Sequence, residues 1–243
     1  INKGVYKQYP LDNMKKLNTE GFIEFIKDKK AKLVILGNPN NPTGTMIPRR
    51  EIYKIIDSVN AMVILDEAYI EFADDASLYD TGNFKNLIVL RTFSKAMALA
   101  GVRLGYMIAH REVIGYINRV KTPYNVNTLS QTMGMKALDN MDIIKANIQI
   151  IKSERARVKK KLEEYGLKPL PSQTNFLFFL GDRSLGEKLT KKGILIRCYS
   201  GNLEGYYRIT IGKPEENNVL LKAIEEVQNE KSKNVQENER DKY

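Results

Sequence analysis

Four short apolar runs dominate the first half of the chain, and each stops at a polar residue or a turn. Leu33, Val34, Ile35 and Leu36 lead into Gly37, Asn38 and Pro39. Met62, Val63, Ile64 and Leu65 lead into Asp66, and Leu87, Ile88, Val89 and Leu90 into Arg91. Leu104, Gly105, Tyr106, Met107, Ile108 and Ala109 form the fourth. Runs of this length bounded by turn residues read as strands. They are apolar throughout rather than alternating, which implies a sheet covered on both faces. Residues 48–59, with Pro48 near the first turn, read as a helix between the first two strands. Alternating strands and helices make an α/β layered architecture.

The second half changes character. Asn127 and Thr128 can cap a helix running through Leu138. A longer helix follows over roughly residues 141–165, where Ile144, Ile148, Ile151, Val158 and Leu162 recur at helical spacing and Gly166 is a natural stop. At 1.5 Å per residue it spans roughly 37 Å, enough to link two domains. The remainder reads as strand (175–180), helix, strand (194–198), strand (207–211) and helix, the last starting at Pro214, Glu215 and Glu216, whose acids suit a helix N-terminus. The expected division is a large domain over 1–138, a smaller α/β domain over 139–227 and a polar tail over 228–243. That tail reads as a frayed helix end or a disordered segment.

Composition removes several function classes. Hydrophobic residues are 42% and charged residues 28% of the 243, ordinary for a soluble globular protein. No apolar run approaches a membrane span, and no signal pattern opens the chain. The lone Cys198 excludes an intramolecular disulfide and fits the cytoplasm. It lies in an apolar run and reads as a small packing residue. His110 reads as a surface residue, and one His with one Cys cannot build a His/Cys metal site. The net charge is +10, but Lys and Arg are scattered among Asp and Glu. That excludes a nucleic-acid arm, while a basic field favours anionic, phosphorylated ligands.

Four features fall just beyond strand ends, where an α/β sheet places its ligand. Asn38, Pro39, Asn40, Asn41, Pro42, Thr43 and Gly44 form a proline-stiffened loop that offers amides. Asp66 ends a strongly apolar strand, so its carboxylate is expected to be partly desolvated beside a cation, with Glu67 pointing away. Thr92, Ser94 and Lys95 supply two hydroxyls for phosphate oxygens and an amine nucleophile. Arg103 lies near Gly101 and Gly105, and its fork suits a phosphate. An acid, two hydroxyls, a lysine and an arginine match a ligand with a phosphate, a protonated ring nitrogen and an aldehyde. Pyridoxal 5'-phosphate has all three.

Those segments, with 207–217, resemble the fold-type I pyridoxal phosphate enzymes of the class I/II aminotransferase group. Within it, three runs are most similar to the histidinol-phosphate aminotransferase family: 91–106, the segment Pro123, Tyr124, Asn125, Val126, Asn127, and the segment Arg208, Ile209, Thr210, Ile211, Gly212. The resemblance covers the chain to about Val227. It implies the aspartate aminotransferase-like fold, with a mostly parallel large-domain sheet and a smaller C-terminal α/β domain. It implies pyridoxal phosphate as cofactor, an amino donor and a keto acid acceptor as substrates, and a homodimer. Lys95 would bind the cofactor and move the substrate proton, and Asp66 would pair with the ring nitrogen. Asn41 and Tyr69 would bind the ring oxygen, and Thr92, Ser94 and Arg103 the phosphate. Arg208 would bind the substrate carboxylate. Arg197, a candidate for the substrate phosphate, joins Tyr124, Asn125 and Asn175 on the substrate side.

The resemblance also implies that the chain starts partway through the large domain, after a phosphate-binding helix N-terminus, a ring-stacking aromatic and an N-terminal arm. Two rival readings follow. One is a threonine-phosphate decarboxylase-like enzyme, which similarly pairs strands like 194–197 and 206–208. The other is a catalytically impaired aminotransferase domain that binds a partner.

Overall fold

The computed structural model describes residues 4–12, 16–76, 79 and 81–240, with side chains described as far as 230. The chain divides into two compact units, Ile1–Asn41 with Thr45–Asn140, and Pro42–Gly44 with Met141–Tyr243.

The first unit contains α1 (Thr19–Asp28), β1 (Leu33–Gly37), α2 (Arg49–Ser58), β2 (Met62–Asp66), β3 (Leu87–Thr92), β4 (Gly105–Ala109), α3 (Arg111–Val120) and α4 (Thr128–Asp139). The strands form one sheet in the order β1-β2-β3-β4. β1, β2 and β3 are parallel, and β4 runs antiparallel to β3. Each helix has a local cause. Asn18 caps α1 by accepting from Gly21 N, and Phe22, Ile23 and Ile26 make its buried stripe. Ile52, Ile55 and Ile56 do the same for α2. Both stripes pack on Val34, Leu36, Val63, Leu65, Leu87 and Val89, which line one face of the sheet.

The other face departs from expectation. Leu33 and Ile35 of β1 are 51% and 66% exposed, so the sheet is not covered on both sides there. Both helix stripes join the core on the side of Val34 and Leu36. α1 and α3 were not legible as helices in the sequence. His110 turns out to cap α3, its Nδ1 accepting from Glu112 N at 3.3 Å.

The second unit contains α5 (Met141–Glu164), β5 (Lys168–Pro169), β6 (Phe176–Leu180), α6 (Leu185–Lys191), β7 (Arg197–Cys198), β8 (Tyr206–Thr210) and α7 (Pro214–Arg240). Its sheet is wholly antiparallel, in the order β5-β6-β8-β7. Val158 and Leu162 of α5 and Ile224 of α7 bury against Leu177, Phe179 and Ile209.

Two details differ from the sequence reading, and the tail takes the helical one of its two expected forms. The strand expected over 194–198 shrinks to β7, because Gly193 has φ +77° and Ile194 N donates to Leu189 O, closing a turn after α6. Cys198 is exposed rather than packed inside. Residues 228–240 continue α7 as helix, and 241–243 lie outside the described residues. Among the described residues no helix is long and apolar enough to cross a membrane.

This packing predicts a contrast. Ile55, with no exposed surface, should cost about 2–5 kcal/mol when cut to Ala. Leu33→Ser, at the open face, should stay within about 0.5 kcal/mol. Urea unfolding of the two variants checks both.

Candidate active site

Register brings the strand ends together. Gly37 lies opposite Asp66, and Asp66 opposite Leu90. A cleft of about 530 Å³ opens there, and its lining includes Asp66, Thr92, Ser94, Lys95 and Arg103. Tyr69 is buried, and its ring centroid lies 5.4 Å from Lys95 Nζ. Asn41, exposed in the loop after β1, is not part of the lining. Nor are Tyr124 and Asn125, which lie in an exposed segment between α3 and α4. Tyr124 has left-handed backbone there and is 96% exposed.

Asp66 corrects one expectation. It is exposed, and its Oδ1 accepts from Ala68 N at 3.0 Å. The desolvated acid with a cationic partner is its neighbour Glu67, which points to the opposite face as strand alternation requires. Nε and Nη2 of Arg91 both reach Glu67 Oε2 at 2.8 Å, and the carboxylate side chain has no exposed surface. Burial pushes the Glu67 carboxyl up from its ordinary range, while Arg91 pulls it down. Glu67 follows Asp66 and Arg91 precedes Thr92, so the pair ties together the two strand ends that carry cleft residues. Opposite charges beside cleft residues on consecutive strands are the signal that sequence reading could have used.

The loop after β3 is folded on itself. Thr92 Oγ1 accepts from Ser94 N at 3.0 Å and donates to Leu104 O at 3.3 Å. Leu104 O also receives Phe93 N, and Lys95 O receives Ala98 N, each at 3.0 Å. A 3-10 turn, Ala100–Val102, leads into Arg103, whose φ of 54° and ψ of 42° are left-handed. For a residue with a Cβ that costs about 1–2 kcal/mol, so surrounding contacts must hold it. Arg103 Nη1 donates to Ala100 O at 3.2 Å.

The remaining candidates belong to the second unit. Arg208 of β8 pairs with Arg197 of β7 and with Phe178 of β6, and directly opposed residues share a sheet face. That face has an aromatic floor. The Arg208 guanidinium lies 4.9 Å from the Phe176 ring, and Tyr206 stacks on Phe178 at 4.8 Å. Two guanidinium groups on one face suit an anion with several oxygens. Asn175 enters through its backbone, its carbonyl accepting from Ile211 N at 2.8 Å. Its buried neighbour Thr174 accepts from Arg155 Nη1 at 2.7 Å.

Removing one member of the Glu67–Arg91 pair leaves a buried charge alone. Arg91→Met should therefore destabilise the chain by about 3–5 kcal/mol. Adding Glu67→Leu should recover most of that loss, as a double-mutant cycle in urea reads out.

Residues 1–224 match the family described as aminotransferase class I and II. The chain is 44% identical over 198 residues to the histidinol-phosphate aminotransferase of Pyrococcus furiosus, covering 82% of this chain and 57% of that protein. The structure of histidinol-phosphate aminotransferase from Sinorhizobium meliloti in complex with pyridoxal-5'-phosphate matches with TM-score 0.84 at 27% identity. That match covers 92% of this chain and 64% of that one. L-threonine-O-3-phosphate decarboxylase from Porphyromonas gingivalis gives TM-score 0.72 at 27% identity, covering 81% and 64%. The chain spans 57% to 61% of the length of the curated relatives it matches. The family match takes in all of the first unit and every residue of the cleft, and the chain belongs to the class I and II aminotransferases.

Proposed function

We propose that the chain serves pyridoxal phosphate-dependent transamination, interconverting histidinol phosphate and imidazole acetol phosphate with glutamate and 2-oxoglutarate. One observation carries the cofactor: a single cleft gathers a carboxylate, two hydroxyls, an amine and a guanidinium at the ends of β2 and β3. That donor set fits the ring nitrogen, phosphate and aldehyde of pyridoxal phosphate. When bound, the cofactor supplies an electron sink for the bond broken at the substrate carbon.

The protein's own residues do the rest. Lys95 Nζ would bind the cofactor aldehyde and take the proton from the carbon bearing the substrate amine. Asp66, facing the cleft, would accept a hydrogen bond from the protonated ring nitrogen. Thr92, Ser94 and Arg103 would hold the phosphate, with the Thr92 hydroxyl turning from the long bond it makes to Leu104 O. Tyr69, beneath Lys95, and Asn41 would bind the ring oxygen. Arg208 would take the substrate carboxylate and Arg197 the substrate phosphate, and Tyr124, Asn125 and Asn175 are assigned to the substrate side by the family resemblance alone. The likeness to the threonine-phosphate decarboxylase is weaker, and carbon dioxide release from threonine phosphate would favour that reading. A cytoplasmic setting, supported by the lone cysteine, and a homodimer complete the proposal. Light scattering that returns only the mass of one chain would overturn the dimer.

Purified chain titrated with pyridoxal phosphate should develop the absorbance band of lysine-bound cofactor, and Lys95→Ala should abolish it. An unchanged band in that variant sinks the assignment. Arg208→Gln should raise KM for glutamate on the order of tenfold to a hundredfold, the value of a charge-assisted hydrogen bond, with kcat less affected.

A further inference from the structure

Arg103 is held in a backbone conformation that costs energy, and both of its chain neighbours are gripped by α4. Ser130, in the first turn of that helix, is 4% exposed. Its Oγ donates to Val102 O at 2.6 Å. A serine inside a helix ordinarily bonds a carbonyl of its own helix or faces water. Here the hydroxyl leaves the helix and takes the carbonyl just before Arg103. Asn127 fixes the turn that presents it, with Oδ1 accepting from Ser130 N at 2.9 Å. One turn further on, Gly134 is buried against the residue on the other side of Arg103: a Cβ at Gly134 would stand 2.5 Å from Leu104 Cδ2. Leu104 O is in turn held by Phe93 N and Thr92 Oγ1. The peptides before and after Arg103 are thus fixed by different partners, which is what a strained left-handed residue needs in order to persist.

We propose that Ser130 is a positioning residue for the phosphate grip. It pins Val102 O so that Arg103 keeps its left-handed backbone and its guanidinium stays at the cleft. Gly134 provides the close approach that lets α4 seat against Leu104. The proposal rests on the pyridoxal phosphate reading given above, and neither Ser130 nor Gly134 lines the cleft.

The test compares two probes on the purified chain, pyridoxal phosphate and pyridoxal, which lacks the phosphate. Ser130→Ala should weaken pyridoxal phosphate roughly tenfold, the scale of one buried hydrogen bond, and leave pyridoxal unchanged. Ser130→Thr, which keeps the hydroxyl, should restore binding. In an Arg103→Ala background, Ser130→Ala should change nothing further. If Ser130→Ala does not fold, as circular dichroism would report, Gly134→Ala displaces Leu104 from the same helix and should give the same split between probes. Equal weakening of both probes, or of neither, overturns the positioning role while leaving the cofactor reading intact. A wild-type chain that binds neither probe overturns the cofactor reading, and this inference with it.

Discussion

Parallel strands are joined by crossovers, so the segment that follows each strand leaves the sheet at the same edge. In this chain the register of β1, β2 and β3 sets Gly37, Asp66 and Leu90 in a row. Everything chemical in the first unit depends on that alignment. The backbone ladder holds that row as far as the bond from Glu67 N to Leu90 O at 2.9 Å. The Glu67–Arg91 pair, its carboxylate fully buried and bonded at 2.8 Å, adds a side-chain tie between β2 and β3 just where the cleft begins. A single strand residue faces one way, so Asp66 and Thr92 serve the cleft while the residues next to them pair, with Arg91 also bordering the cleft.

Much of this arrangement was legible in the sequence. The four strands of the first unit are legible to within a residue, since apolar runs cut by turns leave few alternatives, whereas β5 is too short to show and β7 is shorter than its apolar run. Asp66, Thr92, Ser94, Lys95 and Arg103 could be read as one group because each falls directly after or near a strand end. Ser130 could not. Its use depends on a bond across 28 positions, and nothing about a serine near a helix start marks it from an ordinary capping residue. α1 and α3 are hidden for a different reason: α2, of the same 10 residues and with a stripe of three isoleucines, is announced by Pro48, and neither α1 nor α3 opens on a proline. Cys198 was misread because an apolar neighbourhood in sequence is not burial at a sheet edge.

The two sheets show that a run of apolar residues carries two meanings. In β6 the run Phe176, Leu177, Phe178 and Phe179 is buried on both sides. Helices cover one side, and the flat side chains of Arg208 and Tyr206 tile the other. A residue assigned to an anion therefore also shields the sheet beneath it. In β1 the run is as apolar, yet only Val34 and Leu36 are buried.

That open strip of β1 has a consequence for how the molecules behave towards one another. Among the described strands β1 pairs only with β2, so its outer backbone groups accompany exposed Leu33 and Ile35. On a chain of this span, such an edge offers backbone groups that a further strand, its own or another copy's, can take up. The net charge of +10 works in the opposite sense, since like-charged chains repel at distances up to the screening length. That length is about 30 Å at 0.01 M salt but only about 8 Å at physiological ionic strength. Colloidal behaviour is then a contest between a short-range sticky ribbon and a long-range charge. Dilute buffer keeps the ribbons apart, and added salt brings them within reach.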